Sequence, residues 1–195
     1  MRVIAGSARG VKLAALPGED ITRPTIDRVK ESMFSSVQFF LEGADVLDLF
    51  AGSGQLGIEA LSRGARRCVF IDQDAGACSV IRENLRAASL AGKASVSQTQ
   101  AEHYLATARG PFDLVLMDPP YHHNTVANLL PLVERVMKPG GVVLAETEYG
   151  AQLPEKCGRL ICKKHYKYGK VALARYECVE EEADALLQAE KEPTV

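Results

Sequence analysis

No apolar run in this 195-residue sequence approaches the ~20 residues a membrane-spanning helix needs, and the opening MRVIAGSARG has no signal-peptide core. Neither an anchor nor a secretory route is expected, and the expected setting is the cytoplasm. Cysteine is sparse and unpatterned. Cys68, Cys78, Cys157, Cys162 and Cys178 form no CxxC pair and no metal-ligand spacing, and their odd number argues against a disulfide framework, so they read as reduced thiols. Histidine offers no better metal site, because His122 and His123 are chain neighbours and point apart. Internal repeats and low-complexity segments are also missing before the acidic C-terminus.

What is present is a core. Apolar residues make up 47% of the chain, enough for one α/β domain, with too little length left for a second full domain. The net charge of −2 hides an uneven distribution. Glu180, Glu181, Glu182, Asp184, Glu190 and Glu192 stand against Lys191 alone in the tail, so the remaining body is mildly basic. Within it Arg2, Arg9 and Lys12 form one acid-free basic stretch, and Lys163, Lys164 and Lys167 lie in a second. Two such patches suit a polyanionic partner, and each is equally compatible with a solvated surface.

The pattern in chain order predicts a small β-hairpin extension over residues 1–20, with two short strands around Gly6 to Gly10 projecting the basic side chains. A main domain follows over 21–179, and an acidic, disordered tail over 180–195. Ile26, Val29, Met33, Phe34, Val37, Phe40 and Leu41 recur at helical spacing, which predicts a helix from Thr25, as N-cap, to Leu41. Ala44–Phe50, Arg67–Asp74, Ala94–Thr99 and Phe112–Asp118 read as buried strands, separated by helices over Ala75–Leu90 and Ala101–Ala108. A helix over Thr125–Met137, a Lys138-Pro139-Gly140-Gly141 stop, a strand VVLAETE and a hairpin turning near Gly169 complete the chain. This alternation predicts a doubly wound, mostly parallel Rossmann-like sheet, with antiparallel strands added at one edge by the closing hairpin.

Ligands of such sheets bind beyond the strands' carboxyl ends, and the chemistry-bearing residues fall there. The strand Ala44–Phe50 runs into Ala51-Gly52-Ser53-Gly54-Gln55-Leu56-Gly57 and a helix, so that backbone amides and a helix N-terminus can face an anion. Asp72, fifteen residues after Gly57, is placed to meet ribose hydroxyls. Phe112 to Tyr121, FDLVLMDPPY, ends in a stiff diproline corner, which offers a carboxylate (Asp118), a carbonyl with no adjacent amide (Pro119) and an aromatic face (Tyr121). Asp118 and the Pro119 carbonyl can accept both hydrogens of an amino group on a flat ring while Tyr121 stacks on it. The GxGxxG pattern alone also fits a dinucleotide dehydrogenase, but that chemistry gives DPPY no task. S-adenosylmethionine uses all the pieces: its carboxylate on the loop amides, its amine on Asp48 or backbone carbonyls, its ribose on Asp72. Gly54 is expected to leave space for the ligand's approach to the backbone.

DLFAGSGQLGIEALSRGA, IDQD and MDPPY are similar to the motifs of class I amino-group methyltransferases. Together with RVIAGSARGVKL, RPTIDRVKESMF and YGKVALARYE, they resemble the RsmD family of small-subunit ribosomal RNA guanine-N2 methyltransferases, over the chain to about residue 178. The resemblance implies S-adenosyl-L-methionine as cofactor and Asp118, Pro119, Pro120 and Tyr121 as the catalytic loop. It implies Asp48, Ala51, Gly52, Ser53, Gly54, Asp72 and Gln73 around the cofactor, Gln100 and Ala101 near its adenine, and Arg23 and Thr25 bordering cofactor and substrate. The family more often carries glutamate at the place of Asp72, and Asn or Asp at that of Gln100. Arg2, Arg9, Lys12, Lys163, Lys164 and Lys167 are the expected RNA-binding residues. The expected partner is ribosomal RNA, free or in the assembled small subunit, bound by a monomer that needs no metal and no membrane. Competing readings are a DNA adenine-N6 methyltransferase, which shares DPPY, a catalytically idle nucleic-acid-binding module, and a protein glutamine methyltransferase.

Overall fold

Apolar runs ended by glycine, aspartate or proline set the architecture, and the computed structural model describes it over residues 1–16, 24–108, 110–120, 124–169 and 171–180. Five parallel strands form its centre: β1 (Asp45–Leu49), β2 (Arg67–Asp72), β3 (Ala94–Gln98), β4 (Phe112–Met117) and β5 (Met137–Glu148). Three antiparallel strands extend one edge: β6 (Lys156–Cys157), β7 (Leu160–Tyr168) and β8 (Val171–Cys178). The sheet order is β3-β2-β1-β4-β5-β8-β7-β6. Chain order reverses direction across the sheet between β1 and β4, which opens the crevice where ligands of doubly wound sheets bind. The expected fold is therefore the observed one, with β6 as a short additional edge strand.

Among the described residues, five helices cover the two faces. α1 (Pro24–Ser35), α2 (Gln55–Ser62) and α3 (Ala75–Ala87) lie on one face, and α4 (Ala101–Thr107) and α5 (Thr125–Glu134) on the other. Each face has its own core. Phe34, Ile58, Phe70 and Leu116 are buried in the first cluster, and Leu47, Leu105, Leu130 and Val143 in the second. β1 is buried along its whole length, as a central parallel strand must be.

Three expectations change. The helix expected to run from Thr25 to Leu41 begins at Pro24, which suits the first helical position because its missing N–H needs no partner there, and Thr25 is inside the first turn. It ends at Ser35, where Ser35 Oγ donates to the Glu31 carbonyl and Ser36 Oγ to the Met33 carbonyl, a side-chain competition that disfavours further helix. A 3-10 turn over Gln38–Phe40 follows, leaving Phe39 90% exposed and Phe40 42% exposed although its spacing suggested core. Lys138 to Gly141 do not stop a helix before β5. They form an excursion inside it, where pairing jumps from Phe112–Met137 to Leu114–Val142.

The third change concerns the N-terminus. Its expected two strands reduce to one antiparallel bridge, Arg2 to Lys12, and the segment docks on the domain. Val3, Ala8 and Leu13 enter the first core cluster. The fully buried Glu59 carboxylate accepts from Ile4 N (2.8 Å) and Ala5 N (3.0 Å) and pairs with Arg63 (2.8 Å) and Lys30 (3.6 Å). The Ser62 hydroxyl accepts from Ala8 N at 3.0 Å and donates to the Ala5 carbonyl at 2.6 Å. The acidic tail beyond Glu180, Arg23 and Tyr121 to His123 lie outside the described residues.

Candidate active site

The loop after β1 is built from below. Asp48, fully buried, accepts the Gly57 N–H at 2.8 Å, and burial, reinforced by nearby Asp72 against that hydrogen bond, raises its carboxyl to about 7. Gly57 permits this close approach of α2 to β2, since a Cβ there would stand 2.3 Å from the Phe70 ring. Gly54 takes a left-handed φ of +78°, and a Cβ on it would face Ile81 at 3.2 Å and Ile58 at 3.4 Å. The expectation that Gly54 leaves space for a ligand is thus corrected, since its missing side chain would point into the protein. The open glycine is Gly52, at φ +55°, where a Cβ meets nothing within 4 Å.

Asp72 ties this loop to the end of β2. Its Oδ2 accepts from Gly52 N at 2.8 Å and its Oδ1 from Asp74 N at 2.9 Å. Asp74 in turn caps α3, accepting from Ala77 N at 2.7 Å. Asn84, fully buried, donates to the Ser53 carbonyl at 2.8 Å and holds both the N–H (2.7 Å) and the carbonyl (3.0 Å) of Ala14. It thereby couples the glycine loop to the N-terminal segment just before Leu16.

These elements open onto one cleft of roughly 700 Å³ at the carboxyl ends of the parallel strands. Gly52, Asp72, Gln73, Gln100, Ala101, Asp118, Pro119 and Pro120 line it together. Asp48, Ala51, Ser53 and Gly54 do not form its wall. Asp48 lies beneath the loop, Ala51 and Ser53 are buried, and Ser53 Oγ donates to Met1 Sδ at 3.3 Å. Thr25 occupies the first turn of α1, and its side chain, like Arg23 and Tyr121, is outside the described residues. Asp118 is half-buried and Pro119 buried, whereas Pro120 is exposed.

The cleft also holds residues that motif reasoning passed over: Leu16, Phe50, Ile71, Asp74, Thr99, Glu102, Thr125 and Glu146. Phe50, Asp74 and Thr99 fall within two residues of a strand's carboxyl end, so the strand-end rule could have found them. Phe50 carries a stronger signature visible only in the backbone, a φ of +62° for a bulky residue. Among the described residues no group of three His, Cys, Asp or Glu could hold a metal, and no helix is long and apolar enough to cross a membrane.

Arg2, Arg9, Lys12, Lys163, Lys164 and Lys167 are all exposed. β7 runs parallel to β5 through the intervening β8, so its carboxyl end lies at the cleft end of the sheet. There Lys167 Nζ sits 3.7 Å above the Tyr149 ring.

A doubly wound sheet whose glycine loop, pinned acid and diproline corner share one cleft defines a Rossmann-like methyltransferase. The family model of Conserved hypothetical protein 95 matches residues 1–177. The Bacillus subtilis protein YlbH is 40% identical over 182 residues, covering 91% of this chain and 98% of its own. Ribosomal RNA small subunit methyltransferase D of Escherichia coli K12 is 33% identical over 179 residues, 91% of this chain and 89% of its own. The solved structure of yhhF from Escherichia coli superposes with a TM-score of 0.81 at 31% identity, covering 93% and 99% of the two chains. The chain belongs to this family, the RsmD family of methyltransferases.

Proposed function

We propose that the protein transfers a methyl group from S-adenosyl-L-methionine to the exocyclic N2 amine of a guanine in small-subunit ribosomal RNA. The observation that carries this reading is the single cleft shared by Gly52, Asp72 and the Asp118-Pro119-Pro120 corner. The wall fits the cofactor: open space beside Gly52 for its approach to the loop, and an oriented acid at Asp72 for its ribose. Bound there, the cofactor supplies an electrophilic sulfonium methyl.

The protein's task is positioning. A guanine amine is a poor nucleophile because its lone pair is delocalised into the ring. Asp118 and the Pro119 carbonyl accept its two hydrogens, which draws the nitrogen towards tetrahedral geometry and aims the lone pair along the line of displacement. Orientation of this kind is worth several kcal/mol or more. The proton released on methylation passes to the Asp118 carboxylate or to solvent. Tyr121 stacks on the base, which must reach the cleft unpaired or flipped out. The protein acts as a monomer in the cytoplasm, on RNA free or within the assembled subunit, and Arg2, Arg9, Lys12, Lys163, Lys164 and Lys167 hold phosphates.

The test is nucleoside analysis of RNA and of DNA after incubation with labelled cofactor, with Asp118→Ala in parallel. Label is expected in RNA as N2-methylguanosine, and the variant should lose about two to three orders of magnitude in turnover while still binding cofactor. Label appearing in DNA as N6-methyladenine, or normal turnover of the variant, would overturn the reading.

A further inference from the structure

β4 and β5 are parallel neighbours, and their last registered pair is Met117 with Ala145. One residue further on, Asp118 follows the end of β4, while Glu146 continues β5 and still pairs with Leu173 of β8, and neighbouring strands lie only about 4.8 Å apart. Both line the cleft. Glu146 also lines a second, smaller cavity, which it shares with Pro119, Pro120 and Thr125 and which continues from the corner towards Ala151 and Leu153. The wall between the two cavities therefore carries a second carboxylate beside the one that holds the amine.

We propose that Glu146 selects guanine by accepting the ring N1–H next to the amine that Asp118 and the Pro119 carbonyl hold. This rests on the guanine-N2 reading above and adds the residue that distinguishes that base from its competitors. Beside its exocyclic C2 amine, guanine presents an N–H donor at N1. Beside their own exocyclic amines, adenine presents the bare N1 and cytosine the bare N3, each with a lone pair outward. A carboxylate opposite N1 forms a charge-assisted hydrogen bond with guanine. Opposite adenine or cytosine it meets another acceptor, leaving a desolvated lone pair against a negative oxygen. Sites that match a substrate N–H in this way reject the analogue lacking it far more strongly than shape alone can. Asp118 and Pro119 grip any aromatic amine, so they cannot supply this choice.

The discriminating probe is 2-aminopurine, which keeps the C2 amine but has a bare N1. Small-subunit rRNA carrying guanine or 2-aminopurine at the methylated position is compared as substrate for the wild type and for Glu146→Gln, whose amide can donate to a bare N1. The wild type should prefer guanine by roughly tenfold or more in kcat/KM, and the variant should shrink that ratio by roughly tenfold or more, with cofactor affinity unchanged by calorimetry. Equal use of the two bases by the wild type overturns the inference without any variant. So does a folded, cofactor-binding Glu146→Gln with an undiminished preference. If the wild type methylates neither substrate at the exocyclic amine on C2, it is the guanine-N2 reading that fails.

Discussion

Asp48 shows how one residue beneath the cleft can serve the site without entering it. Its carboxyl, fully buried and bonded only to the Gly57 N–H among the contacts described above, lies at about 7, against an ordinary value of about 3.9. The folded state therefore keeps a proton that the unfolded chain has lost across that interval. The sign follows: the stability this group contributes is complete below about pH 4 and declines as pH rises towards 7, beyond which the carboxyl is ionised in both states. Asp48→Asn retains an acceptor for Gly57 N–H and abolishes the titration. Urea denaturation at a series of pH values should show the wild type losing ground to the variant between pH 4 and 7, by a few kcal/mol in total. A difference that stays flat over the range would mean that Asp48 ionises as easily in the fold as in the unfolded chain.

At the scale of elements, residues 1–16 are tied into the core of the domain through Val3, Ala8 and Leu13. The Glu59 carboxylate on α2 holds the Ile4 and Ala5 amides and faces Arg63 and Lys30, while Lys30 Nζ donates to the Arg2 carbonyl at 2.8 Å. Glu59→Ala strands those buried partners, and the expected cost is about 3–5 kcal/mol of global stability. Faster hydrogen exchange at Ile4 and Ala5 should accompany it, and a cost below about 1 kcal/mol would assign the docking to the Val3 and Leu13 side chains instead. This arrangement marks the limit of what the chain discloses before folding. Buried parallel strands and the glycine-loop spacing are local patterns, so β1, β2 and β4 and the residues at their ends could be read directly. The Glu59 clamp joins residues more than fifty positions apart, and Glu59 looks like an ordinary solvated acid in IEALSRG. Glu146 was hidden for a related reason: VVLAETE reads as a strand to its end, and only the register against β4 sets that glutamate beside Asp118. Gly54 was misjudged because a GxGxxG pattern says which positions need glycine but not which way a Cβ would point.

For the molecule as a whole, the cavities trace one route along the cleft end of the sheet, with Lys167 at its far end. The cleft shares Pro119, Pro120, Thr125 and Glu146 with the smaller cavity. That cavity shares Thr147, Ala151 and Leu153 with a further groove lined by Tyr149, His165 and Lys167. α1 joins this end to the N-terminal segment, since Ser32 hydrogen-bonds Tyr168 at the end of β7 and Lys30 reaches the Arg2 carbonyl. Lys167 lines that last groove, Lys163 and Lys164 lie earlier on the same strand, and Arg2 and Lys12 bridge one another on the N-terminal segment that Lys30 of α1 reaches. Each phosphate neutralised by the protein releases condensed counterions and steepens the salt dependence of binding. Reversing Lys163 and Lys164 together should therefore lower the slope of log K against log salt by roughly one to two units, with little change at the methyl-transfer step once RNA saturates. Binding isotherms on small-subunit rRNA at a series of salt concentrations measure this directly. A slope equal to that of the wild type would return both lysines to the solvated surface and leave the N-terminal cations and Lys167 to carry the backbone.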